Sequence, residues 1–141
     1  MKIDVSSLES ALKQLNTSMN YLQSEKDPGL KVQFRNSAIQ CFEFTYELSY
    51  KMIRRYLEQV VSTRDEIRQI NFADFVRTAA EAGLIPDVKR FLRYRERRNI
   101  TSHTYNQKKA EEVVEVLDDF ARDVCFVIQE LKKRNETNAA N

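Results

Sequence analysis

The sequence predicts an all-α protein, an up-and-down four-helix bundle with an additional short helix. Only two glycines and two prolines occur among 141 residues. They fall in two clusters, Asp27-Pro28-Gly29 and Gly83-Leu84-Ile85-Pro86, so long stretches lack a strong helix breaker. Between the breaks, apolar residues recur at spacings of three and four, the period of a helix with one buried face. Short connections make sequential helices antiparallel neighbours. A chain of this size forms one domain and buries roughly two-thirds of the surface its unfolded form exposes.

The first helix carries the stripe Val5, Leu8, Leu12, Leu15, Met19 and Leu22, and Ser24 to Gly29 ends it. The second runs through Phe34, Ala38, Cys41, Phe42, Thr45, Leu48, Met52, Ile53 and Tyr56. It is roughly thirty residues long, about 45 Å at 1.5 Å per residue. Phe42, Phe44 and Tyr46 alternate as a strand would, but they sit inside a helical period with no turn signal on either side. The third helix has two candidate starts, the capping box Thr63-Arg64-Asp65-Glu66 and the N-cap Asn71 before Phe72, Phe75, Val76 and Ala79; it ends at Gly83. Pro86 is expected to open a short helix through Val88, Phe91, Leu92 and Tyr94. One last helix carries Val113, Leu117, Phe120, Val124, Val127, Ile128 and Leu131. Residues 1–134 are expected to form the single domain, and 135–141 a disordered polar tail.

The formal charge is only +2, so any attraction for nucleic acid must be local. Lys89, Arg90, Arg93, Arg95, Arg97 and Arg98 supply six cations in ten positions, offset only by Glu96. Interleaved with Phe91 and Tyr94, they read either as a solvated face whose stems cover apolar surface or as a grip on a phosphate backbone with stacked bases. Glu47 and Lys51, one helical turn apart, read as a solvated pair. Cys41 and Cys125 lie inside apolar patterns, which suits core thiols in a reduced, cytoplasmic protein. No targeting segment or long apolar run is evident, so no membrane association is expected. A single histidine, no cysteine cluster and no Walker-type glycine loop argue against a metal or a nucleotide cofactor.

The lone histidine, His103, sits in the run Arg97-Arg98-Asn99-Ile100-Thr101-Ser102-His103-Thr104-Tyr105. Histidine is the side chain whose ordinary pKa lies nearest neutrality, and a neighbouring guanidinium suits proton transfer beside an anion. A structural role for His103 is the competing reading, and Tyr105 is similarly either a half-buried aromatic or a phenol beside the imidazole. On an unbroken helix Arg98 and His103 would point about 140° apart. Asn99, Ile100 and Thr101 are mediocre helix residues, and Thr104 with Gln107 is placed to cap the next helix, so a break is expected that lets both side chains face one cleft. Metal-free RNA cleavage requires a base, an acid and a cation. With one histidine per chain, base and acid would come from two copies across a twofold axis.

Two segments together resemble the HEPN superfamily, specifically the nucleotidyltransferase substrate-binding proteins encoded beside minimal nucleotidyltransferases (MNT). Phe42-Glu43-Phe44-Thr45-Tyr46-Glu47-Leu48-Ser49-Tyr50-Lys51 is similar to that family's aromatic second-helix signature, and Ala82-Gly83-Leu84-Ile85 to its third-helix ending. Arg98-Asn99-Ile100-Thr101-Ser102-His103-Thr104-Tyr105 fits the superfamily pattern of arginine, four residues, histidine, one residue, tyrosine. The resemblance implies a four-helix bundle that forms a homodimer. It also implies a separately encoded nucleotidyltransferase partner, since this chain lacks the glycine-serine turn and paired aspartates of such an enzyme.

Two functions follow from the resemblance. The first is a partner of the transferase that binds nucleotide or RNA at a dimer-interface cleft. The second is a metal-independent endoribonuclease toxin with Arg98 and His103 catalytic, silenced when the transferase adds AMP to Tyr105. Asn99, Ser102, Arg97, Arg95 and Arg93 are the expected binding residues. Arg97 also satisfies the superfamily's looser spacing. An assembly module whose basic patch only docks the partner is the third reading.

Overall fold

The computed structural model describes residues 2–60 and 64–140. Among them the regular structure is entirely helical: α1 (Ser6–Ser24), α2 (Pro28–Val60), α3 (Arg64–Gln69), α4 (Phe72–Glu81), α5 (Val88–Asn99), a 3-10 turn (Thr101–His103), α6 (Gln107–Val114) and α7 (Leu117–Ala140). α1 and α2 pair along their length, α7 packs on both, and α4 to α6 close the other side of α2. The stripes read from the sequence meet here: Leu8, Leu15, Phe42, Met52, Val113, Leu117, Val124 and Leu131 are all essentially buried. At the centre Phe120 takes Phe42 edge-to-face at 4.7 Å and Tyr94 at 5.2 Å, joining α2, α5 and α7 through one aromatic cluster.

Several helix ends follow sequence chemistry, and others correct it. Asn71 caps α4 by accepting from the Asp74 N–H at 2.9 Å. Both expected starts have a helix after them, although Thr63 itself lies outside the described residues. Gly83, at φ +79°, closes α4 with a Schellman pair, Leu84 N–H to the Ala79 carbonyl and Gly83 N–H to that of Ala80, both 3.0 Å. Pro28 begins α2 rather than interrupting the chain, because Asp27 accepts from Leu30 N–H at 2.9 Å and proline is suited to the first helical position. Pro86 lies outside α5. There Asp87, in extended conformation, is the cap and accepts from Arg90 N–H at 2.9 Å.

The expected single last helix is two. Val116 N–H bonds back three residues to the Val113 carbonyl, a tight turn after the β-branched Val113 and Val114 that lets Val113, Val116 and Leu117 all enter the core. Cys41 is buried, but Cys125 is exposed on the outer face of α7. α7 continues past Arg134 to Ala140, and the Asn135 amide donates to the Ile3 carbonyl at 2.7 Å and accepts from its N–H at 2.9 Å.

One buried polar cluster orients α5. Asp123 projects from the apolar stripe of α7 and is only 5% exposed. Arg90 grips it through Nε at 2.8 Å and Nη2 at 2.9 Å, and the Tyr94 hydroxyl donates to it at 2.5 Å. The carboxylate's hydrogen bonds hold the Arg90 guanidinium above its ordinary range. Burial, then the hydrogen bond to Asp123, pushes the Tyr94 phenol far up. Removing one member of such a cluster strands the others. Asp123→Ala is therefore expected to cost about 3–5 kcal/mol in urea unfolding, and Tyr94→Phe, which leaves the Arg90 pair intact, about 1–2 kcal/mol. Equal costs for the two would contradict this assignment.

Candidate functional site

α5 carries its cations on three faces. Arg90 and Arg97 turn toward α7 and α6: Arg90 to Asp123, and Arg97 Nε to the Glu112 carbonyl at 3.0 Å. Arg95 and Arg98 turn toward α4 and α2. Arg95 lies over the Phe72 ring at 4.1 Å, and Arg98 Nη2 bonds Glu47 Oε1 at 2.6 Å with Glu43 at 4.0 Å. Lys89 and Arg93 face solvent. The basic run is thus divided by the helical period rather than forming one patch, because i, i+4 and i+7 positions share a face.

α5 stops after Asn99 and the chain tightens into the 3-10 turn. Thr101, buried at 4% exposure, holds the corner: its hydroxyl donates to the Arg98 carbonyl at 2.8 Å and accepts from Arg98 Nη1 at 3.2 Å. His103 N–H bonds the Ile100 carbonyl at 3.0 Å, and Asn106 N–H bonds that of His103 at 3.1 Å. Asn106, not Thr104, caps α6 by accepting from Lys109 N–H at 3.2 Å. Thr104 instead donates to the Thr101 carbonyl at 3.0 Å. The break expected from Asn99 to Thr101 is present.

Arg98 is tethered to α2, while Asn99, Ser102 and His103 are exposed, and among the described residues no hydrogen bond joins Arg98 to His103. The His103 and Tyr105 rings stand edge-to-face at 6.2 Å. Tyr105 is 87% exposed and borders a groove of about 810 Å3 whose far wall, from the start of α2, includes Lys31, Val32 and Arg35. Among the described residues no His, Cys, Asp and Glu cluster could hold a metal ion, and no helix is long and apolar enough to cross a membrane.

A profile described as nucleotidyltransferase substrate binding protein like matches residues 3–133. The chain belongs to that family. A Haemophilus influenzae protein, the probable ribonuclease HepT, is 46% identical over 99 residues, 70% of this chain and 68% of the relative. A solved Haemophilus influenzae structure, reported to reveal the fold of a substrate-binding domain of a nucleotidyltransferase, is 36% identical with a TM-score of 0.84, covering 92% of this chain and 99% of that one. A Thermus thermophilus structure at 28% identity has a TM-score of 0.71, covering 88% and 98%.

Glu47 is exposed, as its spacing from Lys51 predicts, but it pairs with Arg98 of α5 rather than with Lys51. No local pattern marks it, since its partner is 51 positions away. Asp123 did carry a signal, a carboxylate three residues after Phe120 on an apolar stripe. Beside Arg98, burial pushes the Tyr46 phenol up to about 12, partly offset by the Arg95 charge. Between the ordinary value of 10.0 and about 12 the unfolded chain loses this proton while the folded chain keeps it, so stability falls as pH rises. Urea unfolding of Tyr46→Phe across this range is expected to show a shallower alkaline decline than the parent; an identical slope would contradict the burial of the phenol.

Proposed function

We propose that this chain is a cytoplasmic homodimer that works with a separately encoded minimal nucleotidyltransferase and binds nucleotide or RNA in a cleft between its two copies. The observation that carries the reading is the turn after Arg98, where within six positions a guanidinium is half-exposed, an amide, a hydroxyl and an imidazole are exposed, and no second imidazole completes the set. A twofold partner supplies the second copy of each group. The family match supports the transferase partnership. Arg98 is a fitting anion receptor because a phosphate can replace Glu47 at a guanidinium already oriented by Thr101.

The 46% identity to a probable ribonuclease favours a second reading, metal-independent RNA cleavage. There the ribose 2'-oxygen attacks the adjacent phosphorus. His103 of one copy takes the 2'-hydroxyl proton, and His103 of the other protonates the departing 5'-oxygen. Arg98 offsets the charge on the phosphoryl oxygens, and the products are a 2',3'-cyclic phosphate and a 5'-hydroxyl. Adenylylation by the transferase, in which the Tyr105 phenol oxygen loses its proton and attacks the α-phosphorus of ATP as pyrophosphate leaves, would put bulk and negative charge beside His103 and close the site.

One experiment separates the readings. The purified protein, verified by mass spectrometry to be unmodified at Tyr105, is incubated with RNA in chelator beside Arg98→Ala and His103→Ala. Bound but intact RNA, with affinity falling roughly tenfold in Arg98→Ala, is the expected outcome for the first reading. Cleavage abolished by both substitutions moves the assignment to the second. Failure to bind RNA or nucleotide, together with failure to co-purify with a minimal nucleotidyltransferase from the adjacent gene, overturns both.

A further inference from the structure

We infer that the surface of α2 next to Arg98 is a stacking subsite for one unpaired RNA base, and that the bound strand continues from Arg98 past this base toward Lys51 and Arg54. The inference rests on the RNA-binding reading above and adds the strandedness of the ligand and a subsite for its base. Tyr46 and Tyr50, one helical turn apart, hold their rings 6.3 Å apart at an interplanar angle of 17°. Phe72 of α4 extends the stack at 5.7 Å and 15°, and the Arg95 guanidinium covers Phe72 at 4.1 Å. All three rings remain partly exposed. They border an open depression of about 370 Å3 that Arg98 and Asn99 close on one side. A second depression of about 260 Å3 continues past Tyr46 and Tyr50 to Lys51 and Arg54.

Arg98 and Lys51 stand toward the two ends of this track, and because guanidinia lie over Phe72 and Tyr50 the ring between them with no cation over it, among the described residues, is Tyr46. Cations flanking an aromatic face are the arrangement that holds successive phosphates of a single strand around a stacked base. A duplex cannot use it, since its base faces are already stacked. Arg54 fixes the Tyr50 ring, with its guanidinium 4.8 Å over it and its Nη2 donating to the Tyr50 hydroxyl at 2.8 Å, while its buried Nε has no hydrogen-bond partner. The Asn99 side chain, without a hydrogen-bond partner among the described residues, and the Glu47 carboxylate stand where a base edge would meet them.

The test compares fluorescence-anisotropy affinities for a short single-stranded RNA and for an abasic oligonucleotide of equal length, which keeps the phosphates and removes the bases, with a duplex as third probe. Unmodified protein is expected to prefer the base-bearing strand to both others by roughly tenfold or more. Phe72→Leu should shrink that preference. Arg95→Lys, which keeps the charge at an exposed position and removes the planar guanidinium, should shrink it without lowering affinity for the abasic strand. Equal affinity for the base-bearing and abasic strands overturns the stacking subsite and leaves the phosphate-binding reading standing. No binding to any of the three probes overturns the subsite together with the reading it rests on.

Discussion

The buried Asp123 carboxylate is the constraint on which the arrangement of this molecule depends. A charge at 5% exposure is unfavourable unless its hydrogen-bonding capacity is filled, and here Arg90 and Tyr94 fill it from α5. Both partners lie on one stripe of α5, and Arg97, three residues on from Tyr94, continues that stripe to the Glu112 carbonyl. With the 90, 94, 97 stripe held against α7 and α6, the rotation of α5 is set. The 91, 95, 98 stripe then faces α4 and α2, which is why Phe91 is buried, Arg95 reaches Phe72 and Arg98 reaches Glu47. The carboxylate thus aims the arginines of the candidate site from the opposite side of the helix.

Most of the fold was legible because its signals are local or periodic. The stripes of α1, α2 and α7 need only a helical period and a core to face, and Asn71 and Gly83 act through hydrogen bonds within a few residues. What was misread depended on competition between local preferences. Pro28 sits beside a glycine and reads as a breaker, yet Asp27 makes it a helix start. Val113 and Leu117 belong to one stripe on paper, but the tight turn at Val116 divides their helix. Cys125 follows Val124 in an apolar run and still points outward, since one residue rotates a helix by about 100°.

The break in the candidate segment was legible in the sequence, and its contacts were not. The Arg98 to Tyr105 segment stands out by residue type, and the weak helix formers between them do mark a break. Charge density alone could not tell where each arginine is held: Arg90 and Arg97 bond to α7 and α6, whereas Arg95 and Arg98 face the aromatic surface of α2 and α4. Glu47 was invisible because its role arises from a contact between distant helices. The aromatic signature of the second helix has two uses, Phe42 in the core and Tyr46 and Tyr50 at the surface beside Arg98.

Under the proposed function each chain holds half of a site, completed by a second copy of the turn at His103. Pulsed electron spin resonance on the protein labelled at Ser102→Cys, in a Cys125→Ser background that removes the exposed native thiol, measures the distance between the two turns directly. A single short intermolecular distance is the predicted result. Absence of dipolar coupling in a sample whose label is fully incorporated would contradict the claim.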